Sequence, residues 1–360
     1  MAGRRRLLLA SQPLSAGVPR HVLDLVDGLD HDAWSVDVAC PPASTLWQAL
    51  AGRPEARLHP LGAARRPVAG DAVSLARLAR LVASADAVHV HSAKAGFLGR
   101  LAAKLRGRTQ HCAYTPHAWS FWAAGGSEAV LYRRLERLAA RWCRTIVAVS
   151  ADERDAGLAA GVGRREQYRV IANGVDTARF DVARAPVEGR VLFLGRLAAQ
   201  KRPDVALQAL ARVPGAELDL AGDGPERESL QRLAGELGVV DRVRFLGYRD
   251  DVPELLAHAS CLLVTSDYEG ASLVVPEAMA AGVPVVATRA GGVEEVLDGG
   301  GVVVARGDVE AVASALAAVL GDSEQAVRLG EAGRARARDR FTRERMVAET
   351  SALWEELAGG

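Results

Sequence analysis

Short apolar runs alternate with amphipathic stretches along most of the chain, the pattern of a parallel sheet wrapped by helices. In the first half the apolar runs predict strands at 7–10, 36–39, 87–90, 112–115, 146–149 and 169–171. Helices are predicted between them, for example over 20–29, 74–82, 95–105 and 128–141. The periodicity lapses over 173–189, where Asn173-Gly174, Pro186 and Gly189 are turn and linker residues. A second series starts at Val191 and continues with strands near 217–221, 243–246, 261–264, 285–287 and 302–304. The tail, 323–357, reads as helical and arginine-rich, with a solvated basic face. The expected fold class is α/β, with two Rossmann-like, doubly wound parallel-sheet domains facing across a cleft. Their expected limits are 1–182 and 183–342, with a final helix, 343–360, packing back towards the N-terminal domain. Ligands of such sheets bind at the carboxyl ends of the strands.

Composition narrows the picture. A chain of 360 residues, 49% apolar and 25% charged, has room for two cores. The formal net charge of +1 gives no global field to attract nucleic acid. Of the 45 basic residues only Lys94, Lys104 and Lys201 are lysines, a bias that resembles codon usage in a GC-rich genome and draws attention to each lysine that remains. Cys40, Cys112, Cys143 and Cys261 are scattered without C-x-x-C spacing, which points to reduced thiols in a cytoplasmic compartment rather than disulfides or zinc. Arg4-Arg5-Arg6 followed by Leu7–Ala10 looks like the start of a signal peptide, but the apolar run is too short and reads better as a first strand. No run approaches the length of a membrane span.

Two segments carry candidate chemistry. In Leu194-Gly195-Arg196-Leu197-Ala198-Ala199-Gln200-Lys201-Arg202-Pro203 a strand ends at Gly195 and a helix starts near Pro203, a residue suited to a first helical turn. Arg196 and Lys201 therefore stand in a strand-to-helix loop, where a planar fork and a mobile point charge together suit a diphosphate. The plainer reading is a charged turn. The second segment, Thr265 to Ala278, follows an apolar strand and leads into a helix with Ser272 as expected N-cap. The amides of Ala271 to Leu273 would then face an anion or a sugar oxygen at a helix N-terminus. Glu269 falls on the loop and Glu277 about a turn into the helix; carboxylates suit ribose and sugar hydroxyls. Taken alone, Glu269 reads better as a surface acid and Glu277 as a helix-dipole partner.

In order along the chain stand Asp86-Ala87-Val88-His89-Val90-His91-Ser92, Thr115-Pro116-His117, Asn173-Gly174-Val175-Asp176 with Phe180, Gly195-Arg196-Leu197 with Lys201, Ala221-Gly222-Asp223-Gly224-Pro225, Phe245-Leu246-Gly247-Tyr248, the E-x7-E pair Glu269 and Glu277, and Ala290-Gly291-Gly292-Val293-Glu294-Glu295. This ordered set resembles the large family of retaining GT-B glycosyltransferases marked by E-x7-E (family 4-like, glycosyltransferase group 1), over essentially the whole chain. The resemblance implies that Arg196 and Lys201 bind the donor diphosphate and stabilise the departing nucleotide. It implies that Glu277 holds the ribose, that Leu246 and Tyr248 lie against the base, and that Glu269 with Gly270, Ala271, Ser272 and Leu273 holds hydroxyls of the transferred sugar. His117 would reach the sugar near the reacting carbon, and Gly17, in Leu14-Ser15-Ala16-Gly17-Val18 where a double glycine is frequent, would let the backbone approach the diphosphate. The donor phosphate is then the candidate base, on one face of the sugar. The co-substrate implied is a UDP- or GDP-linked sugar, with no metal and no other cofactor; His89 and His91 read as strand packing rather than ligands.

The acceptor implied is a hydroxyl of a glycan or glycolipid, in the setting of cell-surface polysaccharide or glycolipid synthesis. His117-Ala118-Trp119-Ser120-Phe121-Trp122 is unusually aromatic and precedes a helix with Arg133, Arg137, Arg141 and Arg144 on one stripe, Leu131, Leu135, Leu138 and Trp142 marking the other side. An ordinary solvated face and a peripheral contact with an anionic inner membrane face are both readings of that stripe. Two alternatives stay beside the transferase: a nucleotide-sugar epimerase of the same fold, which would carry its own acid and base, and a hinged sugar-binding protein, a class usually exported.

Overall fold

Leu7, Leu8, Leu9 and Ala10 are all buried, with no alternation between in and out. A strand covered on both faces by helices requires such a run, and a parallel sheet is where it occurs. In the computed structural model, which describes residues 3–64, 66, 68–270 and 272–359, the same logic repeats along both halves of the chain. Strands β1 (Arg5–Ser11), β2 (Trp34–Cys40), β3 (Ala56–Pro60), β4 (Ala87–His91), β5 (Cys112–Thr115), β6 (Thr145–Ala148) and β7 (Tyr168–Val170) form one sheet. Its order is β3-β2-β1-β4-β5-β6-β7, parallel throughout. Strands β8 (Arg190–Leu194), β9 (Glu217–Ala221), β10 (Val243–Gly247), β11 (Cys261–Val264), β12 (Val285–Thr288) and β13 (Gly301–Val304) form the other, ordered β10-β9-β8-β11-β12-β13 and again parallel. In both sheets the order reverses beside the first strand, at β1/β4 and at β8/β11. A doubly wound sheet opens its ligand crevice at that reversal.

The first unit comprises the residues up to Asn173 together with those from Arg343 onwards, and the second runs from Gly174 to Thr342. Residues 174–182, assigned from sequence to the first domain, thus belong to the second unit. The arginine-rich tail is two helices, Ser323–Arg340 in the second unit and Arg343–Ala358 in the first. They part at Phe341 and Thr342, where Val175 N donates to Phe341 O at 2.8 Å and Val175 bridges Thr342. A buried Phe341 ends the first helix by turning the chain inward, which no periodicity announces. The helix Arg343–Ala358 lies on the first unit's sheet: Trp354 is fully buried, and Trp34 Nε1 donates to Glu355 Oε1 at 3.1 Å. Strand β3 was not expected from sequence. It is an edge strand of mixed polarity, held partly by His59, whose Nε2 lies 2.7 Å from Asp37 Oδ1 on β2.

The helices Ala93–Leu105 and Gly126–Ala139 brace β5. Gly96 lets the first of them approach Tyr114 so closely that an added Cβ would fall on its ring. Arg100, wholly buried, donates to Glu136 Oε2 at 2.7 Å and to the Gly96 carbonyl at 2.9 Å, and its guanidinium sits 3.6 Å from the Tyr114 ring centre. Tyr114 Oη donates to Glu136 Oε1 at 3.1 Å. Removing one partner of a buried pair strands the other charge in a dry interior. Arg100→Ala is expected to lower unfolding free energy by about 3–5 kcal/mol in a denaturant titration, with Glu136 left uncompensated; a loss below about 1 kcal/mol would mean that water reaches the pair.

Candidate functional site

Each unit gathers its chemistry at the carboxyl edge of its sheet, beside the strand-order reversal. In the first unit Ser11, His91 and Thr115 stand level there, because Ser11 pairs with His91 and His91 with Thr115. His89 and His91, two apart on β4, leave the strand on one side, and their ring centres are 4.2 Å apart. His21 comes from the helix Gly17–Asp27, and His117 lies two residues beyond β5. His21 meets His117 edge-on with ring centres 4.6 Å apart, and His91 Nδ1 lies 3.1 Å from His117 Nε2. Burial pulls His21 down to about 4, with hydrogen bonding to Asn173 opposing it, and pulls His89 down to about 3, with His21 adding to the effect. His91 and His117 are held well below the ordinary histidine range, again by burial first and by their histidine neighbours second. The four rings are therefore neutral at pH 7.

The His117 turn is unusual backbone. His117 and Ala118 have φ of 55° and 89°, a region that L side chains seldom enter. Glu153, wholly buried, holds it: Ala118 N donates to Glu153 Oε1 at 2.6 Å, Val149 N donates to Oε2 at 2.9 Å, and Trp119 Nε1 donates to the Glu153 carbonyl at 2.7 Å. Burial pushes the Glu153 carboxyl up to about 7, with the two backbone amides acting in the opposite sense.

No histidine cluster at ligand spacing was expected from sequence. The fold makes one from distant residues, His21, His91 and His117, whose nearest nitrogens lie within 4.8 Å of one another. A tetrahedral zinc site needs nitrogens about 3.3 Å apart. His91 and His117 already satisfy each other directly.

In the second unit two loops are bound together into one surface. The first is Arg196 to Arg202, after β8; the second is Thr265 to Gly270, after β11. Asp267 N donates to Gln200 O at 2.8 Å, Gln200 Nε2 donates to Tyr268 O at 2.8 Å, and the Thr265 hydroxyl donates to the carbonyls of Lys201 and Arg202 at 2.9 and 2.8 Å. Lys201 Nζ donates to Glu269 Oε1, and the Ser266 hydroxyl reaches the same oxygen at 2.6 Å. Glu269 is buried, whereas Arg196 is exposed and makes no side-chain hydrogen bond or ion pair among the described residues. Gly222, φ 150°, packs under the Gly195 carbonyl where a Cβ would overlap it, and Gly291, φ 56°, does the same for Glu269 O. These glycines are what let neighbouring loops touch. Leu246 is half-buried at the end of β10 and Tyr248 is 80% exposed just after it.

The description "Glycosyl transferases group 1" matches residues 175–336, and "Glycosyltransferase Family 4" matches 15–179. The chain belongs to the group 1 glycosyl transferases. It is 37% identical over 208 residues to the lipopolysaccharide core biosynthesis glycosyltransferase LpsE of Rhizobium meliloti, covering 55% of this chain and 59% of that protein. To the GDP-mannose-dependent α-(1-6)-phosphatidylinositol monomannoside mannosyltransferase of Mycobacterium tuberculosis it is 37% identical over 202 residues, 49% of this chain and 52% of that one. The chain thus spans about half the length of these curated relatives. Anabaena HepE, solved with UDP and glucose, shares the fold at TM-score 0.84 and 22% identity, over 98% of this chain and 100% of that one.

Several details of the structure differ from the sequence reading. Ser272 does not cap the helix Val274–Ala280: Leu273 occupies the cap position in a helical conformation, and no side chain caps it. Ser272 and Gly270 are instead buried, Leu273 and Glu277 are half-buried, and Ala271 lies outside the described residues. Gly17 opens the helix Gly17–Asp27, but the positive φ, 76°, falls on Ala16 before it. The arginine stripe is not one solvated face. Arg133 lies over the Phe121 ring at 5.5 Å, Arg137 donates to the Ala160 carbonyl and Arg144 to that of Glu356. Trp119 and Phe121 are buried and stacked, while Leu131 and Leu138 are exposed beside Arg134 and Arg141. The helix is rotated from the expected setting because Glu136 must face Arg100. Sequence reasoning missed His21, Glu153 and Ser266, each defined by a partner far away or by its burial.

The pH dependence follows from these shifts. A histidine whose folded value is depressed is protonated more readily in the unfolded chain, so stability falls as pH drops from about 6.5 towards the folded value. Glu153 acts oppositely: it is protonated more readily in the folded state, and its effect removes stability as pH rises from about 4.5 to 7. Asp24, also raised by burial, acts in the same sense as Glu153 at lower pH. Four histidines outweigh one carboxyl between pH 4.5 and 6.5. Chemical denaturation is expected to give lower stability at pH 5 than at pH 6.5, and His21→Asn is expected to reduce that difference; an equal or higher stability at pH 5 would contradict neutral buried rings.

Proposed function

We propose that the chain transfers a sugar from a UDP- or GDP-linked donor to a hydroxyl of a glycan or lipid-linked acceptor, with retention and without a metal. The observation that carries this is the surface after β8 and β11, where an exposed, unengaged Arg196 stands beside a lysine held against a buried carboxylate. Arg196 offers its fork to a diphosphate, and Lys201 adds a point charge as negative charge develops on the departing nucleotide. Glu269, already accepting from Lys201 and Ser266, keeps a second oxygen for a sugar hydroxyl, next to the backbone of Gly270, Ser272 and Leu273. Glu277 is assigned to the ribose and Leu246 with Tyr248 to the base. From the first unit, His117 is assigned to the transferred sugar, and the Ala16-Gly17 turn to the diphosphate. The names of the relatives, a lipopolysaccharide core transferase and a mannosyltransferase for a phosphatidylinositol glycolipid, support a glycolipid acceptor.

The reading is tested by turnover against a panel of nucleotide sugars with the product's anomer determined; no transfer from any donor, or inversion, would overturn it. In that assay Arg196→Ala is expected to lose about tenfold or more in kcat/KM with unfolding unchanged, since its side chain supports nothing else. Lys201→Ala is expected to lose turnover and stability together, because it strands a buried carboxylate. Full activity in Arg196→Ala would remove the diphosphate assignment.

No helix among the described residues is long and apolar enough to cross a membrane. The exposed side of the helix Gly126–Ala139, with Val130, Leu131 and Leu138 beside Arg134, and Arg141 just beyond its end, supports a peripheral seat on an anionic membrane at its cytoplasmic face. Flotation with vesicles containing phosphatidylglycerol is expected to retain the protein, and Leu131→Ser with Arg134→Gln and Arg141→Gln is expected to release it. Equal flotation of both would contradict this seat.

A further inference from the structure

The histidine cluster of the first unit contains enough directional partners to fix where three of its rings, His89, His91 and His117, carry their protons. An indole N–H can only donate, and Trp354 Nε1 lies 3.2 Å from His89 Nδ1. His89 Nδ1 is therefore the acceptor. Its proton is on Nε2, which lies 2.7 Å from the Thr115 hydroxyl oxygen. His91 presents the next choice. Its Nδ1 lies 3.1 Å from His117 Nε2, and its Nε2 is buried without a partner. Either neutral form of His91 keeps one hydrogen bond to His117. They differ in what is left at Nε2, a bare lone pair or a stranded N–H. A buried N–H without an acceptor is the rarer and costlier of the two. His91 thus carries its proton on Nδ1 and donates to His117 Nε2.

We propose that His91 is a positioning residue that fixes His117 as a neutral Nδ1–H donor, directed at an oxygen of the transferred sugar. This rests on the assignment of His117 to that sugar. With Nε2 of His117 accepting from His91, the only proton of the neutral ring is on Nδ1. That atom has no hydrogen-bond partner among the described residues and is not sealed from solvent, while His21, edge-on at 4.6 Å, holds the ring plane. Burial of all four rings favours the neutral form that the scheme needs. His117 then orients a hydroxyl or ring oxygen by giving a hydrogen bond. It takes no proton from the acceptor, so a base for the acceptor hydroxyl has to come from elsewhere, and the donor phosphate remains the candidate. Trp354, from the helix Arg343–Ala358, sets the His89 end of the same array, so the last helix of the chain contributes to the protonation pattern beside His117.

Two-bond proton–nitrogen correlation spectra of the full chain with nitrogen-15 histidine, near pH 7, read the form of each ring directly. The His117 signals are assigned by their loss in His117→Asn. The expected result is Nδ1–H for His117 and His91 and Nε2–H for His89; a proton on His117 Nε2, or a doubly protonated His117, overturns the proposal. His91→Phe fills the same space without donating. It is expected to release His117 into a mixture of both forms and to lower kcat about tenfold, with donor KM moved by less than about twofold. An unchanged His117 spectrum in that variant also overturns the proposal. Should His91→Phe fail to fold, the spectrum of the unmodified protein decides alone. If His117→Asn turns over normally, the sugar assignment fails even though the ring carries Nδ1–H; if that variant is inactive while His117 carries Nε2–H, the assignment stands and the role of His91 fails.

Discussion

A carboxylate that is only 6% exposed must be compensated where it lies, and Glu269 is compensated by Lys201 Nζ and the Ser266 hydroxyl. The arrangement of the second unit's ligand edge depends on this pairing. Lys201 is at the end of the loop after β8, and Glu269 is on the loop after β11, so the ion pair ties two neighbouring strand ends into one surface. The backbone follows: Asp267 N donates to the Gln200 carbonyl and Gln200 Nε2 to the Tyr268 carbonyl across the same seam, Thr265 reaches the carbonyls of Lys201 and Arg202, and Gly291 gives the Glu269 carbonyl room to settle. With Lys201 engaged inward, Arg196 is left as the cation facing outward. A half-buried cation turned inward and an exposed one turned outward make a graded edge, suited to the diphosphate proposed for it.

The first unit solves the opposite problem. Its edge residues are histidines, and burial removes their charge instead of pairing it. Neutral imidazoles in contact do not repel one another as imidazoliums would, so four can share one edge, and each can act as donor and acceptor at once. Glu153 belongs to the same economy of charge. Its raised value leaves it near the boundary between ionised and neutral at physiological pH, while two backbone amides keep it bound to the strained turn that presents His117.

Both sheets were legible because strands buried on two faces leave unbroken apolar runs such as Leu7–Ala10 and Val191–Leu194. Strand β3 was not legible, since an edge strand with Arg57 and His59 looks like loop. A separate final helix from 343 was expected, but the buried Phe341 that ends the helix before it carried no signal in an arginine- and alanine-rich sequence. Lys201 and Glu269 were each visible as charged loop residues at strand ends. Their contact was not, because sixty-eight positions separate them and only the β8/β11 adjacency brings them together. The histidines show the same limit more sharply: the alternate placing of His89 and His91 was plain, yet that spacing alone suggested packing, and His21 carried no signal at all. Ser272 illustrates the reverse error, a residue with cap chemistry in a place where the helix starts one residue later.

The rarity of lysine now has a physical meaning at two of its three positions. Lys94 Nζ has three acceptors, the carbonyls of Ala64 and Arg66 at 2.7 and 2.9 Å and Asp71 Oδ1 at 2.7 Å. A tetrahedral ammonium can satisfy three diverging acceptors, whereas a planar guanidinium directs all its donors into one plane. Lys201 has a similar need, since its ammonium must reach Glu269 along a stem that passes within 3.7 Å of where a Gly195 Cβ would stand. The larger planar head of arginine would have to fit the same narrow approach. Lys104 is different, resting 5.3 Å from the centre of the Trp142 ring, where arginine would serve as well. In a chain that uses arginine almost everywhere, lysine persists at Lys94 and Lys201 where the shape of the cation, and not its charge, is what the surrounding atoms select.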